Sequence, residues 1–405
     1  MGYFKDTLRG VSWMGGLRVS TRLLAFVKIA ILARILTPSQ FGLFGIALLV
    51  LAFLETMTES GINIFLIQEK AKLEKYNDTA WLVSIFRGLL ISLIIFLSAN
   101  AISSFFKSGE ARNLILLISL IPLVRGFINP AIVKFQKELR FNYEFLIRLS
   151  IYSLDALVAV FLALITRSAV SLVWGMLAGV ILEVIISHVF IKPKPRFNFE
   201  IEKIKKVFHR GKWITLAGIF QYLFKQGDDI VVGRLLNASA LGLYQVAYKI
   251  STLPITEVAD TVIKVTFPVY VKISDDKKRL RKAFFKTALA VFAVTFPFGL
   301  IIFMFSKEVI LILLGPNWLG AVGVLKVLAA FGVIRALSIT ANPLFLSLKK
   351  QNYLTVVTFV GIVGLAATIF PLIASYGIIG AALSALIGAI VAMPVYLYYT
   401  FRILT

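Results

Sequence analysis

Arg34-Ile-Leu-Thr-Pro-Ser-Gln-Phe-Gly-Leu-Phe-Gly-Ile-Ala47 aligns without a gap on Arg234-Leu-Leu-Asn-Ala-Ser-Ala-Leu-Gly-Leu-Tyr-Gln-Val-Ala247, an offset of 200 residues. Six of the fourteen positions are identical: Arg34/Arg234, Leu36/Leu236, Ser39/Ser239, Gly42/Gly242, Leu43/Leu243 and Ala47/Ala247. Trp13 and Trp213 keep the same offset upstream. Apolar residues alone match easily by chance, whereas Arg, Ser, Gly and Trp held in one register do not. Each copy joins two hydrophobic segments, so the sequence reads as two related membrane halves. Duplicated membrane proteins commonly build a solute path from such halves, which places transport ahead of other functions.

Working outward, 59% of the chain is hydrophobic and 16% charged, with mean hydropathy +0.90, well outside the soluble range. There is no cysteine, which excludes disulfides and thiolate metal sites. His188 and His209 are too far apart to form a local metal motif. Lys5, Asp6 and Arg9 precede the first apolar stretch and no small-residue cleavage site follows, so a retained first span is expected rather than a signal peptide.

Twelve segments of spanning length are expected, at 11–33, 41–65, 79–104, 112–133, 142–165, 169–191, 213–233, 241–268, 287–306, 319–346, 352–374 and 378–401. The net charge of +23 is distributed as a topology signal. Twenty-six basic residues fall at the termini and in the even-numbered loops, eight of them between Lys192 and Lys212, against six in or at the edge of the odd-numbered loops. The positive-inside rule therefore predicts cytoplasmic termini, and nucleic acid is not the partner this charge selects. The polar break at 192–212 divides the chain into an N-terminal six-helix bundle (1–191), a cytoplasmic linker and a C-terminal six-helix bundle (213–405). An even number of spans per half makes the repeat parallel. The linker carries Phe197, Phe199, Ile201, Ile204 and Val207 among basic residues, as an amphipathic surface helix would. Pro254, Pro268, Pro297, Pro343, Pro371 and Pro394 read as kinks within or at the ends of spans.

Ionisable residues inside spans cost about 2.5–3.5 kcal/mol each at mid-membrane, so they face protein or water and are functional candidates. The first span carries Arg18, Arg22 and Lys28. Arg18 and Arg22 are one turn apart on a face continued by Ala25 and Ile29, and their like charges call for an anion or an acidic side chain. The corresponding face of the seventh span reads Gly218, Tyr222, Lys225 and Asp229, with Asp228 the counterpart of Lys28. Lys225 is placed to pair with Asp228 or Asp229 along its own helix. A watery cleft between these spans is the expectation, with Arg18, Arg22, Lys28, Lys225 and Lys249 binding an anionic head group. Asp228, Asp229, Glu55, Glu59 and Glu257 are candidates for ion coupling or gating. Further charges within spans are Arg87, Arg125, Asp155, Glu183, Asp260, Lys264 and Arg335. Planar guanidinium donors suit phosphate, and a sugar-bearing polyprenyl pyrophosphate fits a basic cleft whose walls adjoin lipid.

The sequence resembles the polysaccharide-transport branch of the multidrug/oligosaccharidyl-lipid/polysaccharide (MOP) exporter superfamily, the Wzx-type oligosaccharide flippases. The resemblance rests on Ile31–Gly45 after the first span and Gly61-Ile-Asn-Ile-Phe-Leu-Ile-Gln68 after the second. It extends to Gln136-Lys-Glu-Leu-Arg-Phe141, Phe267-Pro-Val-Tyr with the basic run to Lys282, and Leu314-Gly-Pro-Asn-Trp318. It implies an all-α integral membrane fold in which two six-helix bundles surround a central cavity lined by spans one, two, seven and eight. It implies a non-enzymatic flippase that moves a polyprenyl-pyrophosphate-linked oligosaccharide from the inner to the outer leaflet by alternating access. No cofactor is expected, with Na+ or H+ as the coupling ion. The expected partners are the lipid-linked oligosaccharide and membrane lipid, around a monomer of the cytoplasmic membrane that associates with polysaccharide polymerisation machinery. Relatives that flip peptidoglycan precursors have fourteen spans, and twelve points away from them. A drug or organic-cation antiporter would need an acidic aromatic pocket. A membrane glycosyltransferase or ligase would need outward carboxylates, for which Glu110 and Glu308 are the only evident candidates.

Overall fold

The computed structural model describes residues 2–58, 66, 74–197, 218, 222, 223 and 225–404. Among these every regular element is helical. Two compact units emerge, Met1–Gly227 and Asp228–Thr405.

In the first unit, α1 (Gly2–Ile35) and α2 (Pro38–Met57) are joined by a tight turn. α3 (Glu74–Phe105), α4 (Ala111–Ile118) and α5 (Leu120–Arg125) follow, then a 3₁₀ turn at Pro130–Val133 and the short α6 (Lys134–Lys137). α7 (Phe141–Thr166) and α8 (Val170–Val189) complete the set. In the second unit a helical stretch at 225–235, of which 228–235 belong to this unit, precedes α9 (Ala238–Lys272) and α10 (Lys277–Met304). α11 (Ser306–Leu313), a 3₁₀ turn at Pro316–Ala321, α12 (Val322–Ile339), α13 (Asn342–Ser347) and α14 (Gln351–Leu404) follow.

The duplicated stretch adopts one local conformation twice. Thr37 caps α2 in a reciprocal box: Gln40 N donates to its hydroxyl at 3.4 Å, while its own N–H donates to Gln40 Oε1 at 2.9 Å. Pro38 occupies the first turn, where a missing N–H costs nothing. Two hundred residues on, Asn237 caps α9 by accepting from Ala240 N at 2.8 Å. The closing bonds correspond as well, Leu36 N to Leu32 O and Leu236 N to Val232 O. Gly42 and Ala47 are buried in the first copy, Gly242 and Ala247 in the second.

Seven helical stretches among the described residues are long and apolar enough to cross a membrane, or eight when Ala111–Arg125 and Pro130–Lys137, which meet at 71°, form one span. The difference from the expected twelve has local causes. α1 and α9 are continuous over 34 and 35 residues but carry several charges each. Nine of the 21 residues of the expected seventh span lie outside the described residues. α14 runs for 54 residues, yet Gly377 at φ 56°, ψ −132° breaks its helical course. Gly361 and Gly388 then lie in contact, as two antiparallel arms require. Pro297, Pro371 and Pro394 sit within helices that continue past them.

Outward faces are strongly apolar. On α3, Phe86, Leu93, Phe96 and Leu97 are exposed, the composition lipid chains solvate. Inside the second unit, Tyr270, Leu280, Phe284, Leu344 and Phe345 form a core, extended by Tyr353 stacked on Tyr399 at 4.0 Å. The start of the expected linker is docked on the N-terminal end of α3: Asn77 donates to Pro193 O, Arg196 N donates to Asp78, and Phe197 packs on Trp81.

The break in the fourth span is built into the packing. Asn129 is fully buried and reaches the carbonyls of Ser187 and Pro193, while Trp81 donates to Phe127 O at 3.1 Å. α3 approaches this span so closely that a Cβ on Gly88 would lie 2.3 Å from Pro122 O. Gly88→Leu is therefore expected to lower stability by about 1–3 kcal/mol, the usual cost of overpacking. A drop in the melting temperature of the detergent-solubilised protein checks it; an unchanged melting curve would show that α3 has room to move.

Candidate functional site

α1 lies along α7, with Trp13 and Phe145 rings 5.4 Å apart and Gly16 beside Phe145. Arg18 is half-buried and Arg22 exposed. Between them Thr21 returns its hydroxyl to Leu17 O, satisfying a polar group within the helix. Lys28 has a partner that its sequence position did not reveal. Its ammonium donates to Asp155 on α7 at 2.6 Å, and both side chains are largely buried, at 14% and 16% exposure. Lys28 is thus held by a carboxylate of its own bundle. The reason is register: α1 and α7 pack closely, and Lys28 faces that seam rather than the side carrying Arg22.

Glu55 on α2 pairs with Arg125 at the end of α5. Arg87 on α3 crosses to the same place, donating to Glu55 O at 2.6 Å and Thr58 Oγ1 at 3.1 Å. On α7, Arg148 pairs with Glu183 of α8 at 3.0 Å. Glu59 lies outside the described residues. Arg148 escaped the sequence reading although it sits seven residues before Asp155, two turns along the same face. That spacing of opposite charges within one apolar helix was the available signal.

The face expected to continue into the seventh span is partly closed. Gly218 sits against Thr56, and Tyr222 is buried with its hydroxyl donating to Leu49 O at 2.6 Å and its ring 5.4 Å from Phe53. A hydroxyl that reaches a mid-helix carbonyl of α2 seals that portion by packing. Lys225, further along, is exposed.

In the second unit Asp228 is buried with both carboxylate oxygens engaged. Oδ2 accepts from Tyr244 at 2.7 Å and Oδ1 from Asp229 N at 3.0 Å. Its partner is thus a tyrosine of α9 rather than a lysine on its own helix. One turn further on, Tyr248 accepts from Arg335 of α12 at 2.5 Å, and that guanidinium lies 5.6 Å above the Phe331 ring. Gln245 and Lys249 face Asp229. Asp228, Asp229 and Lys249 therefore share one neighbourhood, joined by Tyr244, Tyr248 and Arg335. Glu257 is eight residues beyond Lys249, about 12 Å along the helix axis. The two tyrosines were missed because an i, i+4 aromatic pair on an apolar helix reads equally well as plain core.

These features define an all-α, multi-pass membrane transporter fold. The chain belongs to the family described as polysaccharide biosynthesis protein, whose profile matches residues 31–323. Among relatives, an uncharacterised membrane protein in the cps region of Klebsiella pneumoniae is 27% identical, over 94% of this chain and 79% of its own length. The lipopolysaccharide biosynthesis protein WzxC of Escherichia coli K12 is 25% identical, over 85% of this chain and 70% of its own. The teichuronic acid biosynthesis protein TuaB of Bacillus subtilis 168 is 27% identical, over 82% and 69%. Among solved structures, an inward-facing MATE-family multidrug resistance transporter of the MOP superfamily superposes with TM-score 0.72 at 15% identity, covering 95% of this chain and 94% of that one. The lipid II flippase MurJ, inward closed, superposes with TM-score 0.75 at 17% identity, covering 96% and 88%.

The buried pair invites a double-substitution test. Lys28→Met alone leaves the Asp155 carboxylate uncompensated, an expected cost of about 3–5 kcal/mol, and Asp155→Leu alone does the same to Lys28. Both together are expected to recover most of that loss. Thermal unfolding of the four proteins in one detergent reads the result, and additive losses would contradict the pairing. Tyr244→Phe removes one bond to a buried carboxylate, with an expected loss of about 1.5–3 kcal/mol by the same assay.

Proposed function

We propose that this protein is a flippase, which moves a polyprenyl-pyrophosphate-linked oligosaccharide from the inner to the outer leaflet by alternating access. It carries out no chemical conversion in this reading. The family to which the chain belongs supports it, as do relatives named for lipopolysaccharide, teichuronic acid and succinoglycan biosynthesis, the last as a transport protein. The observation that carries the mechanism is the placement of Arg18 and Arg22 one turn apart on a helix within an otherwise apolar chain. Two guanidiniums at that spacing offer paired donors to a pyrophosphate, whose prenyl tail stays in lipid.

In this proposal Lys225 and Lys249 add positive charge for the head group, while Lys28 fixes the position of α1 through Asp155. Asp228 and Asp229, with Glu55, Glu59 and Glu257, respond to a proton or sodium gradient and bias the two conformations. The organisation is twelve spans in two parallel six-helix halves, 1–191 and 213–405, joined by a cytoplasmic linker. Both termini face the cytoplasm and the membrane is the cytoplasmic one.

The experiment is translocation of a polyprenyl-pyrophosphate oligosaccharide in proteoliposomes, with and without imposed gradients. Arg18→Ala with Arg22→Ala is expected to slow translocation about tenfold or more, since each charge-assisted bond contributes roughly 1.5–3 kcal/mol and 1.4 kcal/mol is a factor of ten. Correct insertion is verified by protease protection of the termini. Undiminished translocation by a properly inserted double variant discards the head-group assignment. Efflux of a cationic dye without glycolipid movement discards the flippase itself.

A further inference from the structure

The first unit holds a partly open cavity of about 410 Å³, within the range of small-molecule sites. Three guanidiniums and three carboxylates line it: Arg87, Arg125, Arg148, Glu55, Asp155 and Glu183, contributed by α2, α3, α5, α7 and α8. Cohesion alone does not call for this. Replacing buried ion pairs by apolar side chains is often neutral or stabilising, and each charge at membrane depth is costly. A bundle that needed only packing would be filled with leucine and phenylalanine.

One wall is the broken fourth span. Its backbone leaves the helix after Arg125, and Gly126, Ile128 and Pro130 border the cavity. Irregular backbone at such depth is stable where protein covers it or where it lines a watery space. The break is braced from behind by Asn129, Ser187 and Trp81, so the cavity is a maintained feature of the packing.

The lining chemistry narrows the occupant. Guanidiniums only donate and carboxylates only accept, and here both line one space. Vicinal hydroxyls match such a wall, each accepting from an arginine and donating to a carboxylate. Arg125 is already paired with Glu55 and Arg148 with Glu183, so an occupant must bridge pairs rather than complete a lone charge. A lipid tail makes no such bonds, and a compact ion of either sign would meet three like charges. Tyr152, also on the wall and 44% exposed, adds a ring on which the C–H face of a pyranose can lie.

We propose that this cavity is a sugar-binding subsite, which receives one residue of the glycan while the pyrophosphate is held elsewhere. It deepens the flippase reading and rests on it for the identity of the glycan. Because the chain has no cysteine, Met176→Cys places a single thiol on the cavity wall. The full-length protein in lipid nanodiscs is treated with a charged, membrane-impermeant methanethiosulfonate. The probe is the water-soluble glycan released by mild acid from the source cell's own polyprenyl-linked pool.

The thiol is expected to react, and the glycan to slow the reaction roughly tenfold near ten times its Kd, by simple occupancy. Adding Arg148→Gln and Glu183→Gln is expected to abolish protection while the thiol still reacts. A thiol that does not react, or reacts at one rate with and without glycan, overturns the subsite, as does protection by inorganic phosphate but not by glycan. Translocation by the otherwise unmodified protein separates the two ideas. Translocation without protection removes the subsite and keeps the flippase; protection without translocation keeps the sugar site and removes the flippase.

Discussion

The structure is governed by the cost of charge in an apolar solvent. A soluble helix disposes of its lysines and glutamates by facing them to water, a route closed to residues at mid-membrane. Lys28, Asp155, Glu55, Arg125, Arg148 and Glu183 solve the problem by pairing across helices. Each pair fixes the azimuth of two helices at once, because a displaced partner would leave a charge without compensation. Lipid supplies no hydrophobic driving force between helices, so directional contacts carry more of the specificity here than in a soluble bundle. Glycine contacts such as Gly88 on Pro122 do the complementary work, letting backbones approach where polar side chains need short reach.

The two matching stretches meet this constraint in different ways. Their helix caps are interchangeable in chemistry, Thr37 and Asn237 each satisfying the first turn of the following helix. Sixteen residues apart in each copy are a second pair of equivalent positions, 28 and 44 against 228 and 244. The first copy has Lys28 and Phe44, and its lysine finds a carboxylate on α7. The second has Asp228 and Tyr244, and the carboxylate is met by the phenol at 2.7 Å. The added hydroxyl stands where the acidic residue requires a donor. The buried polar pair thus differs between the two stretches at both sites, while both caps keep an extended backbone.

Much of this was legible in the residues. The matching stretches at 34–47 and 234–247 mark two equivalent helix starts, and the charges within spans identify nearly all the residues that later form pairs. What the sequence withheld was the partner. A 3.6-residue period gives the angle of Lys28 about its axis but not which helix stands there, so a cation that α7 neutralises read as one open to a ligand. Tyr222 illustrates the same gap, since its face was assigned to water and the hydroxyl instead reaches Leu49 O. Tyr244 and Tyr248 were silent because tyrosine is at home in apolar packing, and only a neighbouring Asp228 or Arg335 gives its hydroxyl a task. The fourth span read as one continuous segment, and its break at 126–129 depends on Asn129, Ser187 and Pro193, distant in sequence.

Pairing also sets what each charge can do. A lysine held at 2.6 Å by a buried carboxylate has a competitor already in place, and an incoming phosphate would have to displace it and leave Asp155 unsatisfied. Such a residue sets the geometry of α1 and is poorly suited to bind and release a substrate each cycle. Arg22, exposed on the same helix, carries no such burial penalty and is the better placed to trade partners. Asp228 resembles Lys28 in being fully engaged, yet its partner is a neutral phenol. Losing its charge therefore strands no opposite charge on Tyr244, whereas neutralising Asp155 would strand Lys28. A carboxylate bonded to a neutral donor can change protonation without dismantling an ion pair, a freedom that Asp155, paired with Lys28, does not have.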